Sequence, residues 1–180
     1  MTNNTITYGL LLGLVGGVST VAMYLMGPEA SITYSWINNL VLFASLGVLV
    51  YFGIRLRQEN GGYFTYGQAY GRLMMLSVVS AVVGIFFMLV IYTIIDPDYG
   101  KYYIDLMKDQ FYEQGLDEEG VEMAMGFTQY FLPFNTVGVF VSSTLGLLFY
   151  AVLNLLLALI VRKENPSGDF FEKDKEDILA

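Results

Sequence analysis

The sequence predicts an all-α integral membrane bundle of four transmembrane helices, with an extracytoplasmic helical hairpin between spans three and four. Three observations predict it. Hydrophobic residues fill 55% of the 180 positions and charged residues only 14%, against about a quarter charged in soluble domains. Four stretches are long enough for a hydrocarbon core, which needs roughly 20 apolar residues of helix, and none contains Asp, Glu, Lys or Arg. The segment between the third and fourth stretches is instead acidic, and its apolar residues recur at helical spacing.

Span one covers 6–26, with no charge before Glu29. A cleaved signal peptide would carry a basic start and a small-x-small cleavage site. The opening Met1-Thr2-Asn3-Asn4-Thr5 has no charge and no such site follows, so an uncleaved anchor is expected. Span two covers 36–54 and ends at Arg55 and Arg57. The loop after it is rich in Gly and Tyr and holds no Gly-Lys-Ser/Thr of a phosphate-binding loop. Thr65 and Gln68 are spaced as a capping box, predicting a re-entry helix at the interface with tyrosines at headgroup level. Span three covers 73–95, between Arg72 and Asp96.

Asp96-Pro97-Asp98 should end that span, because proline disfavours helix at the residue before it. Over 96–134 a helical insertion is expected. Its first helix has Tyr99, Tyr102, Tyr103, Leu106 and Met107 on one face, and Gln114-Gly115 breaks it. Its second helix has Asp117 as cap, an acidic first turn that suits the helix dipole, and an end near Phe131. Pro133 separates it from span four, 135–161, which ends at Arg162 and Lys163. The four-span domain would occupy 1–165, and 166–180 would be a flexible cytoplasmic tail.

Charge sets the expected orientation, since basic residues mark the cytoplasmic ends of spans. Arg55, Arg57 and Arg72 flank one loop, and Arg162 and Lys163 close span four. The long connection from Asp96 to Glu122 carries two lysines against nine acids. Both termini should therefore be cytoplasmic, with the acidic insertion outside. Two similar half-sequences also hint at duplication. Thr7-Tyr8-Gly9-x-x-x-Gly13 resembles Thr65-Tyr66-Gly67-x-x-x-Gly71, and Arg57-Gln58-Glu59-Asn60 resembles Arg162-Lys163-Glu164-Asn165.

Lipid is as apolar as leucine, so spans associate through close approach of small residues and through polar clasps. Gly9, Gly13 and Gly17 form one small-residue stripe, with Gly16 beside it, and Gly138, Ser142 and Gly146 form another. Span three offers Ser77 with Ala81 and Ser80 with Gly84. These stripes serve packing within the chain or a dimer seam. Asn154 is a strongly polar group deep in span four. It reads as a clasp between helices, or as part of a substrate path with Tyr150 one turn earlier. Arg55, Arg57 and Arg72 are candidate anionic-lipid headgroup ligands.

Composition also limits chemistry. The chain has no cysteine and no histidine, which removes thiolate sites and the usual general base and zinc ligand. A net charge of −8 disfavours nucleic acid as partner. Uncharged spans disfavour proton- or cation-coupled transport, which uses intramembrane carboxylates. The acids Asp105, Asp109 and Glu113, and Glu118 with Glu122, lack a calcium-loop pattern and read as a solvated face. No cofactor or metal is expected.

Several segments together resemble a family of small uncharacterised bacterial membrane proteins typical of Bacteroidetes, domain of unknown function family 4199. They are the Gly-rich first span, Gly62-Tyr63-Phe64-Thr65-Tyr66-Gly67-Gln68-Ala69, Tyr92-x-x-x-Asp96-Pro97-Asp98, and Gln114-Gly115-Leu116-Asp117-Glu118-Glu119 before Met123–Met125. The resemblance implies a four-span inner-membrane protein and carries over no functional residue. It also implies an envelope setting near membrane glycosyltransferases. The expected function is a non-enzymatic accessory or assembly partner acting by helix packing. Its partners would be the lipid bilayer and either a second copy or an envelope membrane protein. The alternative is a small oligomeric channel or carrier, which a cavity reaching Asn154 from one side would favour.

Overall fold

A computed structural model describes residues 2–128 and 130–164; the expected tail at 166–180 lies outside them. The fold is all-α. Seven helices follow in order: α1 Thr2–Met26, α2 Pro28–Thr33, α3 Trp36–Glu59, α4 Tyr66–Leu89, α5 Tyr99–Glu113, α6 Glu118–Thr128 and α7 Thr136–Val161. Four segments are long and apolar enough to cross a membrane: Asn4–Met26, Trp36–Glu59, Tyr66–Ile95 and Thr136–Val161. No more than 22% of any span's apolar window is buried inside the chain, so each span keeps apolar surface that a bilayer can meet.

Local chemistry explains where the helices stop. α3 runs past Arg55 and Arg57 because long basic side chains lie along the helix and keep their charge at its end. It ends in a Schellman turn: Gly62 N–H donates to Arg57 C=O at 2.9 Å and Gly61 N–H to Gln58 C=O at 3.3 Å. Gly61 holds the left-handed conformation, φ 87°, that this turn requires. The same turn, around Gly115 at φ 88°, ends α5. Thr65 and Gln68 form both bonds of a capping box. The helix they start is not a separate interfacial element but the first turns of span three, since nothing in Tyr66–Leu89 interrupts the ladder.

Two features were not legible beforehand. Span three finishes in a π-helical segment, Val90–Ile95, before Asp96 breaks it. The short α2 forms between spans one and two, with Pro28 at its first turn. α6 ends at Thr128, one turn before the expected Phe131.

α4 is the hub. It packs against α1 on one side and α7 on the other, and α3 lies across all three. α1 runs parallel to α4, with Gly9, Gly13 and Gly17 in sequence opposite Val79, Val83 and Phe87. Two apolar cores result. At the arginine end, Leu49, Leu56, Phe64, Leu73, Leu76 and Val161 are buried together. At the opposite end Ile91, Tyr92 and Tyr99 are buried, with Tyr24, Tyr103 and Phe134 packed on them.

Candidate functional site

At the arginine end, polar side chains fasten helix termini to one another. Glu59 accepts hydrogen bonds from Asn4 Nδ2 at 2.8 Å and from Tyr8 OH at 2.7 Å, tying α3 to α1. Arg57 Nη1 donates to Val161 C=O at 2.8 Å, and Arg72 Nη1 to Thr5 Oγ1 at 3.2 Å. Arg55 bonds Tyr51 OH at 3.2 Å and lies 5.9 Å from the Tyr8 ring centre. Phe64 and Lys163 exchange both backbone hydrogen bonds at 2.9 Å. Of the three candidate headgroup arginines, Arg57 and Arg72 thus direct donors into the bundle, and Arg55 is the most exposed.

The small-residue stripes have separate destinations. Cβ atoms at Gly9, Gly13 and Gly17 would collide with α4 side chains, at 2.7 Å from Val79 Cβ and 2.6 Å from Val83 Cβ in the first two cases. That face of span one is filled within the chain. Gly138 is pressed against the Leu132 carbonyl, whereas Gly146 has open space beside it. Ser142 bonds its own helix at Val139 C=O. Gly67 and Gly71 also face open space, so the two Thr-Tyr-Gly segments occupy different surroundings.

Between the two cores the spans separate. All buried residues of α3 (Leu49, Gly53 and Leu56) lie in its arginine-end half, and the other half stands off. The gap is a chamber of about 170 Å³ lined by residues of all four spans, including Ser45, Ser77, Ser80, Ser143, Gly146 and Tyr150. Gly16 lines both this chamber and a vestibule of about 320 Å³ beyond it. The vestibule is walled by Thr20, Asn38, Tyr92, Tyr99, Tyr103 and Phe134, among others. None of the residues lining either space is charged. On α3 the lining positions Asn38, Val41 and Ser45 share one helical face.

Asn154 lies behind the chamber wall, fully buried. Its Nδ2 donates to Ser77 Oγ at 3.0 Å and contacts Met74 Sδ at 3.4 Å. Its Oδ1 is buried without a hydrogen-bond partner among the described residues. Ser77 in turn donates to Leu73 C=O at 3.0 Å. The hydroxyls of Ser45, Ser80, Ser143 and Tyr150 make no hydrogen bond among the described residues. The crevice was missed at the sequence level. Its signal was present in the serines of span three: Ser80 lines the space, and Ser77 lines it while holding Asn154.

A cap covers the vestibule end. Tyr102 OH donates to Glu29 Oε1 at 2.6 Å, Ser31 Oγ and Tyr99 OH are 3.3 Å apart, and Tyr24 OH reaches Asp96 Oδ2 at 3.4 Å. Phe134 packs edge-on to Tyr92 and tilted against Tyr99 and Tyr103 at centroid distances of 4.8–5.5 Å. Burial pushes the Tyr99 and Tyr103 phenols above their usual range. The Lys101 ammonium beside Asp98, 2.8 Å away, holds that carboxyl below its usual value. No group of three or more potential metal ligands occurs among the described residues.

No curated protein and no solved structure matches this chain. A family model described as "Protein of unknown function (DUF4199)" matches residues 7–163, which takes in all four spans, the crevice and the cap, and the chain therefore belongs to the DUF4199 family.

Proposed function

We propose that this protein is a non-enzymatic accessory or assembly partner of a bacterial inner membrane, acting by packing against a second copy of itself or another envelope membrane protein. The observation that carries this reading is the way the cap is held. Two side-chain contacts join α2 to α5, a third joins the end of α1 to Asp96, and an aromatic cluster packs α5 against the span ends. A folded, acidic surface is thereby presented at a fixed position above spans whose flanks are exposed, which is what a docking protein needs. Both termini are cytoplasmic and the cap is outside in this reading, on the strength of the basic residues at the opposite end.

Cross-linking in native membranes, followed by purification in mild detergent, tests it. A discrete second copy or partner should be recovered, and loss of the acidic surface through Asp105→Asn, Asp109→Asn and Glu118→Gln should reduce its yield several-fold. Recovery as a monomer alone in several detergents overturns it. The crevice favours a second reading, a small carrier. It approaches Asn154 from the cap end, and the leucine core at the arginine end closes it below.

A further inference from the structure

We propose that the crevice is a binding site for one uncharged, membrane-soluble molecule with a hydrogen-bonding oxygen head and an apolar body, such as a long-chain alcohol. The inference goes beyond the packing role above and stands without it.

Four observations converge on that chemistry. First, the chamber is lined by residues of all four apolar spans, so an occupant there sits among membrane-crossing helices. Second, neither chamber nor vestibule has a charged lining residue; an ionic headgroup would find no counter-charge there, and its burial would be costly. Third, the hydroxyls of Ser45, Ser80, Ser143 and Tyr150 line the chamber with no protein partner among the described residues. These four side chains are half-buried, and each of their hydroxyls can both donate and accept. Behind them Asn154 is fully buried, its Oδ1 unpartnered, with its amide held by Ser77 of the chamber wall. Fourth, the rest of the chamber wall is apolar, with Leu12, Ala81 and Leu147, while the vestibule sets Met23, Val41 and Met88 beside Ser19, Thr20, Ser31 and Asn38. A few convergent polar groups in a mainly apolar pocket are the usual pattern of a small-molecule site.

The geometry orients the occupant. Its oxygen head sits in the chamber among the serines, and its apolar body passes Gly16 into the vestibule, where Tyr92, Tyr99 and Phe134 receive it. Gly16 and Gly146 keep that path clear, because nothing lies within 4 Å of where a Cβ would stand on either.

The test uses the full chain in phosphatidylcholine nanodiscs, with tritiated 1-dodecanol as probe and empty discs subtracted. A saturable component near one per chain is expected, displaced by unlabelled 1-dodecanol and not by dodecanoate. Gly146→Leu projects into the chamber from a position where a Cβ meets nothing within 4 Å and should weaken binding at least tenfold. Ser80→Ala with Ser143→Ala should weaken it at least threefold while leaving the melting midpoint unchanged. Should Gly146→Leu melt early, the serine variant decides by itself. Partitioning equal to that of empty discs, equal displacement by dodecanoate, or full binding by the serine variant would each overturn the proposal.

Discussion

At Asn154 the two ends of one amide have opposite fates: the nitrogen is bonded to Ser77 and the oxygen is buried without a partner among the described residues. Removing the partner and removing the amide therefore have different costs. Ser77→Ala leaves Nδ2 facing only a thioether and should destabilise by about 1–2 kcal/mol, the cost of stranding a buried donor. Asn154→Leu removes the stranded oxygen along with the donor and should be close to neutral. In the double variant the Ser77→Ala cost should largely vanish. A double-mutant cycle of unfolding in detergent measures this, and strict additivity would show the clasp to be energetically idle. The tyrosines of the cap make a second residue-scale prediction. Tyr99 and Tyr103 have phenol pKa values raised above about 10, chiefly by burial. The folded cap thus holds these protons more tightly than the unfolded chain does. The stabilisation is complete below about pH 10 and is lost as pH rises through the elevated folded values. The melting midpoint of the cap should fall on that alkaline side; a flat midpoint alongside rising tyrosinate absorbance contradicts it.

Among the elements, the α1–α4 seam is the tightest interface shown. Parallel helices approach closely because glycine occupies every fourth position on α1, so the side chains of α4 rest on bare backbone. Gly13→Leu should break this seam at about 1–3 kcal/mol or more. Gly16→Leu, three residues on, projects into open crevice and should cost far less. Thermal unfolding of the two variants side by side checks the contrast, and equal losses would place the seam elsewhere. Helix ends obey simpler rules. Gly61→Ala forces an L side chain into the left-handed region and should cost about 1 kcal/mol, read as an earlier melt of the arginine-end turn.

For the whole molecule, the arrangement is two packed cores with an uncharged, mainly apolar gap between them, and the buried residues of α3 all lie in its arginine-end half. The expected orientation is tested on this scale. The chain has no cysteine, so single thiols report without interference. Lys101→Cys on the cap should react with an impermeant maleimide in intact cells, and Arg162→Cys should react only after lysis. The reverse pattern inverts the molecule and moves the vestibule to the cytoplasmic side.

The spans, the break at Gly115 and the capping box at Thr65 were all legible in the sequence. Each depends on composition or on residues within one helical turn of each other, and such rules operate before the chain has a tertiary fold. Glycine spacing likewise marked span one as a packing face. It did not name the neighbour: that α4 fills it, that Gly146 is left open, and that Ser45, Ser80 and Ser143 converge from three helices depends on rotations and tilts. Sequence periodicity gives each helix a face, but in lipid every face is equally free of water. Only the mutual packing of backbones decides which faces close and which enclose a space.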